Sequence, residues 1–163
     1  MHKQLVLLLL LITNICVSQD KIADVLAKYN DNTVKYVYPL ELFNATNVLY
    51  LDAREKTEFD VSHLKNSIYV GFENFDLQKW NNKNISKNQR IVVYCSLGVR
   101  SEKIAKKIIA AGYTNVSNLY GGIFLWKNSG GQLVDQTNTG TENVHVFSKS
   151  WGRYLTSGVK VYN

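Results

Sequence analysis

Apolar residues follow two patterns along this chain, and the two patterns alternate. The first is a short continuous run of β-forming residues, found in NVLYLD (47–52) and RIVVYC (90–95). A run of this kind predicts a strand that is buried on both faces of a parallel sheet. Further strands are predicted in VKYVY (34–38), NSIYV (66–70) and NVSNLY (115–120).

The second pattern has the spacing of an amphipathic helix, and residues 101–113 (SEKIAKKIIAAGY) show it most clearly. The predicted apolar face consists of Ile104, Ala105, Ile108 and Ile109. Glu102 and the lysines of this segment fall on the opposite, solvated face. Further helices are predicted in residues 20–30, 39–45, 55–61 and 73–82, and after the glycine pair at 121–122.

The alternation of strands and helices predicts an α/β fold. We expect a mainly parallel central sheet with helices on both faces, formed by residues 34–134. In such sheets, ligands bind beyond the carboxyl ends of the strands. Asp52 and Cys95 each end a predicted strand, and the sequence therefore predicts a functional site near these two residues.

The first 18 residues differ from the rest, because Lys3 precedes an unbroken apolar run from Leu5 to Ile12. This layout is typical of a secretory signal peptide, and the run is short for a membrane span. We therefore expect an exported protein, periplasmic or secreted, without a stable membrane span after cleavage. An uncleaved N-terminal membrane anchor is the alternative, and a lipid on Cys16 is less favoured because Ile15 occupies a position that prefers a small residue.

The segments that flank the central domain have their own composition. Residues 19–33 are expected to form an N-terminal helical segment. Residues 135–163 begin with a polar stretch and then regain aromatic residues. We expect this C-terminal extension to pack on the domain.

The formal net charge of the chain is +6, and its basic residues are scattered without a block of like charge. This pattern indicates a solvated basic surface and disfavours a nucleic-acid partner. A basic surface also favours small anions arriving from solution. The histidines are too far apart in sequence to form a metal motif, and we expect neither a metal nor an organic cofactor.

Cys95 is the only cysteine left if the signal peptide is removed, because Cys16 is the only other one. A lone thiol forms no internal disulfide, so Cys95 is either buried and inert or kept for chemistry. Its position between a strand and a helix favours chemistry. Main-chain N–H groups and the helix dipole converge at such a place, stabilise a thiolate and bind anions.

Six residues, from Cys95 to Arg100, form this predicted loop. Gly98 allows the main chain to curl, and Arg100 adds a permanent positive charge that we expect to close the anion-binding ring. Ser101 is placed to cap the helix or to join the ring.

The segment YCSLGVRS (94–101) resembles the active-site loop of single-domain rhodanese-like sulfurtransferases. LYLDAREKTEFDVSHLKNSIYV (49–70) is similar to that family's Asp-x-Arg strand end, Glu-Phe pair and histidine-containing turn. NLYGGIFLWKNSGG (118–131) resembles its Gly-Gly turn and tryptophan-containing helix. The three segments occur in the family's order.

This resemblance implies a rhodanese-like fold and a sulfurtransferase in which Cys95 carries sulfur as a persulfide. The loop side of the site would comprise Ser96, Leu97, Gly98, Val99 and Ser101, with Arg100 as a catalytic partner. Asp52 and Arg54 would support it from the neighbouring strand end. His63 is expected to be a turn residue and Trp126 a core residue. The implied partners are a small anionic sulfur donor, such as thiosulfate, and a thiol, thioredoxin-like or cyanide acceptor.

Two features depart from the family pattern. The usual Gly-His-Ile-Pro-Gly-Ala turn is SHLKNS (62–67) here, with Asn66 able to replace glycine in a left-handed conformation. The loop residues Ser96, Leu97 and Val99 are uncharged, which weighs against thiosulfate as the physiological donor.

Two other functions remain open from the sequence. A phosphatase or arsenate reductase on the same scaffold is disfavoured, because the resemblance implies a loop one residue longer for those enzymes. A binding module without turnover is also disfavoured, because such modules commonly lack the cysteine that this chain keeps.

Overall fold

A parallel sheet of five strands forms the centre of the computed structural model, which describes residues 22–81 and 83–162. Its spatial order is β1-β5-β4-β2-β3, and all its strand pairs are parallel. The strands are β1 (Tyr36–Val37), β2 (Val48–Asp52), β3 (Ile68–Tyr69), β4 (Arg90–Tyr94) and β5 (Val116–Leu119). The predicted mainly parallel α/β fold is therefore confirmed.

The helices lie around this sheet in chain order. They are α1 (22–29), α2 (Lys56–Val61), α3 (Leu77–Asn81), α4 (Val99–Ala110), α5 (Gly122–Asn128) and α6 (Lys149–Gly152), with a short 3-10 helix at Pro39–Glu41. The predicted signal peptide and Cys16 lie outside the described residues. Within residues 22–81 and 83–162, no helix has the length and apolar character needed to cross a membrane.

Helices cover both faces of the sheet, as the alternation of β4 shows. Val92 and Tyr94 belong to one apolar cluster, together with residues of α1 and α5 such as Phe124. Ile91 and Val93 belong to a second cluster, together with residues of α4 such as Ile104. Each strand residue is thus covered by a helix on its own side.

The register of β2 and β4 places the two predicted site positions side by side. Asp52 is paired with Tyr94, the residue before Cys95. The Ala53 N–H also donates to the Tyr94 carbonyl at 2.8 Å. Asp52 and Cys95 therefore leave the sheet at the same edge.

Two details of the predicted α4 are wrong. Ile109 is 40% exposed, because the helix turns Ile108 toward the sheet and its neighbour away from it. Glu102 is buried rather than solvated. Its carboxylate accepts hydrogen bonds from the Asp31 N–H at 3.1 Å and the Tyr36 hydroxyl at 3.3 Å, and it lies 3.5 Å from the Lys106 ammonium, so the buried side chain has polar partners.

Two other predicted helices are shorter than expected. The helix predicted over residues 39–45 is reduced to the 3-10 turn at Pro39–Glu41, because the chain must turn to enter β2. The helix predicted over residues 73–82 begins only after Asp76, whose carboxylate accepts the N–H groups of Gln78 and Lys79.

The C-terminal segment packs against the same core. It contains an antiparallel pair, β6 (Leu133–Val134) with β7 (Gly140–Thr141), and a parallel pair, β8 (Asn143–His145) with β9 (Val159–Val161). Val144, Val146 and Leu155 are buried in the cluster that contains Val92. These contacts fix the loop that precedes α6.

Candidate active site

The sulfur of Cys95 lies at the junction between β4 and α4. Cys95 is only 2% exposed. Its Sγ accepts a hydrogen bond from the Gly98 N–H at 3.1 Å, and the Ser101 N–H also donates to it. The Ser101 Oγ lies 3.5 Å from the sulfur. The loop therefore surrounds a single sulfur atom with hydrogen-bond donors.

These donors favour the ionised form of the thiol. Burial alone would raise the pKa of Cys95, because a charged sulfur loses its hydration. The positive charge of Arg100 and the N–H groups of Ser101 and Gly98 outweigh this effect, and the pKa of Cys95 is lowered. A lowered pKa increases the fraction of nucleophilic thiolate at neutral pH.

Helix α5 fixes the curl of the loop by binding its carbonyl groups. The Ile123 N–H donates to the Cys95 carbonyl at 2.9 Å, and the Phe124 N–H donates to the Ser96 carbonyl at 3.2 Å. Gly122 makes this approach possible. A Cβ at this position would lie 2.2 Å from the Cys95 carbonyl oxygen, and its φ of +54° also favours glycine.

Gly98 forms the sharp bend that precedes α4, with a φ of +114°. Its carbonyl accepts hydrogen bonds from the Asn118 amide at 2.8 Å and the Asn30 amide at 3.0 Å. Because the nitrogen of Asn118 faces this carbonyl, its oxygen faces Ser101 and accepts the Ser101 hydroxyl at 2.7 Å. Residues from β5 and from the end of α1 thus hold the bend and the serine.

Arg100 forms a two-pronged ion pair with Glu58 of α2. Its two terminal nitrogens lie 2.6 and 2.8 Å from the Glu58 carboxylate oxygens. The same guanidinium donates to the Ser96 hydroxyl at 3.0 Å. The sequence predicts that Arg100 closes an anion-binding ring, whereas in the structure its guanidinium is bound to Glu58 and acts on Cys95 through its charge.

Glu58 is 1% exposed, and its carboxylate stays ionised. Burial alone would raise its pKa, but the hydrogen bonds and charge of Arg100, the charge of Arg54 and the N–H of Glu55 lower it to about 2. An ion pair with this degree of burial depends on both partners, because removal of either leaves a buried charge unpaired.

Asp52 and Arg54 form a second buried ion pair beneath the site. The Arg54 guanidinium lies 2.7 Å from the Asp52 carboxylate and donates to the Ser62 carbonyl at 2.6 Å. Both side chains are fully buried. The pair therefore connects the end of β2 to the turn after α2, the helix that carries Glu58.

The turn after α2 contains Asn66 at the position where the family pattern has glycine. Asn66 adopts a φ of +63°, the left-handed conformation that the sequence predicts for it. His63 exchanges two main-chain hydrogen bonds with Val134, and its ring stacks on Phe59. His63 is thus a turn residue outside the lining of the cavity described next.

A cavity of about 340 Å³ opens above Cys95. We refer to it as the Cys95 cavity. Its loop side consists of Cys95, Ser96, Leu97, Val99 and Arg100. Its remaining lining consists of three aromatic residues, Tyr29, Phe147 and Trp151.

The structure brings together all the loop residues that the sequence predicts, with Ser101 and Gly98 beneath the sulfur rather than in the cavity lining. Asp52 and Arg54 are fully buried and do not belong to the cavity lining. Sequence reasoning missed Glu58, Asn118 and the aromatic wall. Of these, only Glu58 could have been recognised from the sequence, because it belongs to the Glu-Phe pair in residues 49–70 that resembles the family pattern. Within the described residues, no cluster of three or more acidic, histidine or cysteine side chains could hold a metal ion.

Comparison with known proteins identifies the family. The profile of the rhodanese-like domain matches residues 39–129, more than half of the chain, and the chain belongs to this family. The tRNA uridine(34) hydroxylase of Bacillus cereus strain Q1 is 37% identical over 97 residues, which cover 56% of this chain and 30% of that protein. The match therefore spans less than a third of this curated relative.

Solved structures agree with the family. A rhodanese-related protein from Thermoplasma volcanium is 25% identical, with a TM-score of 0.55 over 61% of this chain and 97% of that one. A rhodanese-like domain protein from Staphylococcus aureus is 24% identical, with a TM-score of 0.51 over 63% of this chain and 98% of that one. The second likeness shows the fold alone.

Replacement of Gly122 by alanine tests the close approach of α5 to the loop. We expect Gly122→Ala to lower the free energy of unfolding by about 3 kcal/mol or more, because the new Cβ collides with the Cys95 carbonyl. Gly140→Ala is the matched control, since no atom lies within 4 Å of its new Cβ. Urea denaturation of both variants measures the difference, and equal stabilities would contradict the described packing.

The lowered pKa of Glu58 predicts a specific loss of stability in acid. A carboxyl whose pKa is about 2 in the folded state and 4.5 when unperturbed stabilises the fold above the unperturbed value, and this contribution is lost as the pH falls toward 2. We expect the contribution of Glu58 to the free energy of unfolding to decrease by about 2 kcal/mol between about pH 5 and pH 3. Urea denaturation across this range should show a shallower decline for Glu58→Gln, and parallel curves would refute the assignment.

Proposed function

We propose that this protein is a sulfurtransferase that carries a sulfane sulfur on Cys95 as a persulfide. The observation that carries the proposal is the set of N–H donors around the Cys95 sulfur, which lowers its pKa although it is buried. An inert core cysteine would have no need of such donors. The position of the sulfur at the floor of a cavity gives a substrate access to it.

The first half of the proposed reaction loads the cysteine. The Cys95 thiolate attacks the outer sulfur of a donor such as thiosulfate and forms a new S–S bond. The S–S bond of the donor breaks, and sulfite leaves with the electron pair. The terminal sulfur of the resulting persulfide carries a negative charge, which the charge of Arg100 and the first amides of α4 stabilise.

The second half transfers the sulfur. A thiolate or cyanide acceptor attacks the terminal sulfur of the persulfide, the bond between the two sulfurs breaks, and Cys95 returns to the thiolate. The groups that lower the pKa of Cys95 also make it a good leaving group in this step. The same residues therefore serve both halves of the cycle.

Other members of this fold suggest other reactions, but the site favours sulfur transfer. A phosphatase or arsenate reductase must enclose a tetrahedral oxyanion, and here the Gly98 N–H contacts the cysteine sulfur directly, in a loop of only six residues from Cys95 to Arg100. The hydroxylase activity in the name of the Bacillus relative belongs to a protein of which this chain matches 30%. The basic residues are also scattered along the sequence without a block of like charge, a pattern that does not favour tRNA binding.

We further propose that the reaction takes place outside the cytosol. The N-terminal sequence supports export, so the acceptor would be a small thiol or a thioredoxin-like protein outside the cytosol. No resident cofactor enters the proposed cycle.

Intact-mass spectrometry tests the proposal directly. After incubation with thiosulfate, the protein should gain about 32 Da, the mass of one sulfur atom, and should lose it again on addition of cyanide. Cys95→Ser is the matched control and should gain nothing. If neither protein gains mass from any sulfane-sulfur donor, the protein is a binding module and the proposal is wrong.

A further inference from the structure

The Cys95 cavity has an aromatic wall that comes from outside the family match. Tyr29 belongs to α1, whereas Phe147 and Trp151 belong to the C-terminal segment. All three lie outside residues 39–129. The loop chemistry is thus a property of the family, whereas the wall is a property of the flanking segments of this chain.

The main chain holds Phe147 in an unfavourable conformation over the cavity. Its φ is +61°, a left-handed value that bulky residues rarely adopt. Its side chain remains 60% exposed, although its neighbour Val146 is fully buried. Strain of this kind at the edge of a reactive site indicates that the position serves a ligand rather than the core.

Trp151 is placed by the residue that follows Phe147. Ser148 caps the N-terminus of α6. Its hydroxyl oxygen accepts a hydrogen bond from the main-chain N–H of Trp151 at 3.4 Å. The ring of Trp151 also lies 6.0 Å from that of Tyr154. The cap and this contact hold Trp151 in the lining of the cavity that Phe147 also lines, so the wall is present before a ligand arrives.

The charge of the cavity suits an anion with a single charge. Apart from the reactive Cys95, Arg100 is the only residue with a charged side chain among those that line it. Its guanidinium is already paired with the Glu58 carboxylate. A doubly charged anion that enters the cavity loses its hydrating water. In return it meets only the Arg100 guanidinium, which Glu58 already binds, and a set of apolar rings, so its entry is unfavourable.

We propose that the Cys95 cavity selects a sulfur donor that carries one negative charge and an apolar organic group of aromatic size, with Phe147 and Trp151 as the residues that determine this specificity. This inference rests on the proposed sulfurtransferase function and deepens it. The cavity volume of about 340 Å³ lies at the lower end of the range in which proteins hold small organic ligands. Aromatic thiosulfonates have the required chemistry.

The loading step with benzenethiosulfonate balances in the same way as with thiosulfate. The Cys95 thiolate attacks the outer sulfur of the donor, and the new S–S bond forms. The donor's S–S bond breaks, and benzenesulfinate leaves with the electron pair and one negative charge. The phenyl ring of the donor would lie against the aromatic wall during this step.

Steady-state kinetics with the two donors tests the specificity. We expect Phe147→Ala and Trp151→Ala each to lower kcat/KM for benzenethiosulfonate by about tenfold, because the ring loses its apolar contact, with little change for thiosulfate. Tyr38→Ala is the control, since Tyr38 is an exposed aromatic outside the cavity lining. Comparison of each variant with the wild type removes the different intrinsic reactivities of the donors.

Equal losses for both donors, or no loss for either, would overturn the inference and leave the proposed function intact. Sulfur uptake from neither donor by the wild type would contradict the proposed function, and with it the role of the cavity as a donor site. A binding measurement separates the two cases. Calorimetry on Cys95→Ser should detect benzenesulfinate binding that is stronger than sulfite binding and is lost when Phe147 or Trp151 is also replaced by alanine.

Discussion

The whole site depends on one balance, between the cost of burying the Cys95 sulfur and the donors that surround it. A buried thiol would ordinarily stay protonated, because its charged form loses hydration. Here the N–H groups of Gly98 and Ser101 and the charge of Arg100 reverse that preference. The site therefore favours an ionised sulfur in a place from which water is largely excluded, where electrostatic interactions are strong.

The fold maintains this balance through contacts from several elements. Helix α5 binds the carbonyl groups of the loop, which is possible because position 122 is glycine. Helix α2 supplies Glu58, which orients Arg100, and the buried pair of Asp52 and Arg54 connects β2 to the turn that follows this helix. The contacts of α5 with the loop and of Glu58 with Arg100 join elements that are distant in sequence, so the site forms only when the sheet and its helices assemble.

The sequence predicted the fold and the loop because both rest on local patterns. Buried strands, the glycine of the loop and the cysteine before a helix can be recognised from neighbouring residues. The partner of Arg100 could not be recognised, because Glu58 is 42 positions away and is brought near only by the tertiary fold. The burial of Glu102 was missed for the same reason, since its partners Asp31 and Tyr36 lie on another segment. The aromatic wall depends on the path of the C-terminal segment, which no periodic pattern describes.

The pKa of Cys95 is the most direct measure of the balance on which the account rests. The ultraviolet absorbance of the thiolate can be followed against pH for the native protein, with Cys95→Ser subtracted as the baseline. We expect a midpoint clearly below about 8.5, the ordinary value for a cysteine. A midpoint at or above that value would show that burial outweighs the surrounding donors, and it would contradict the account.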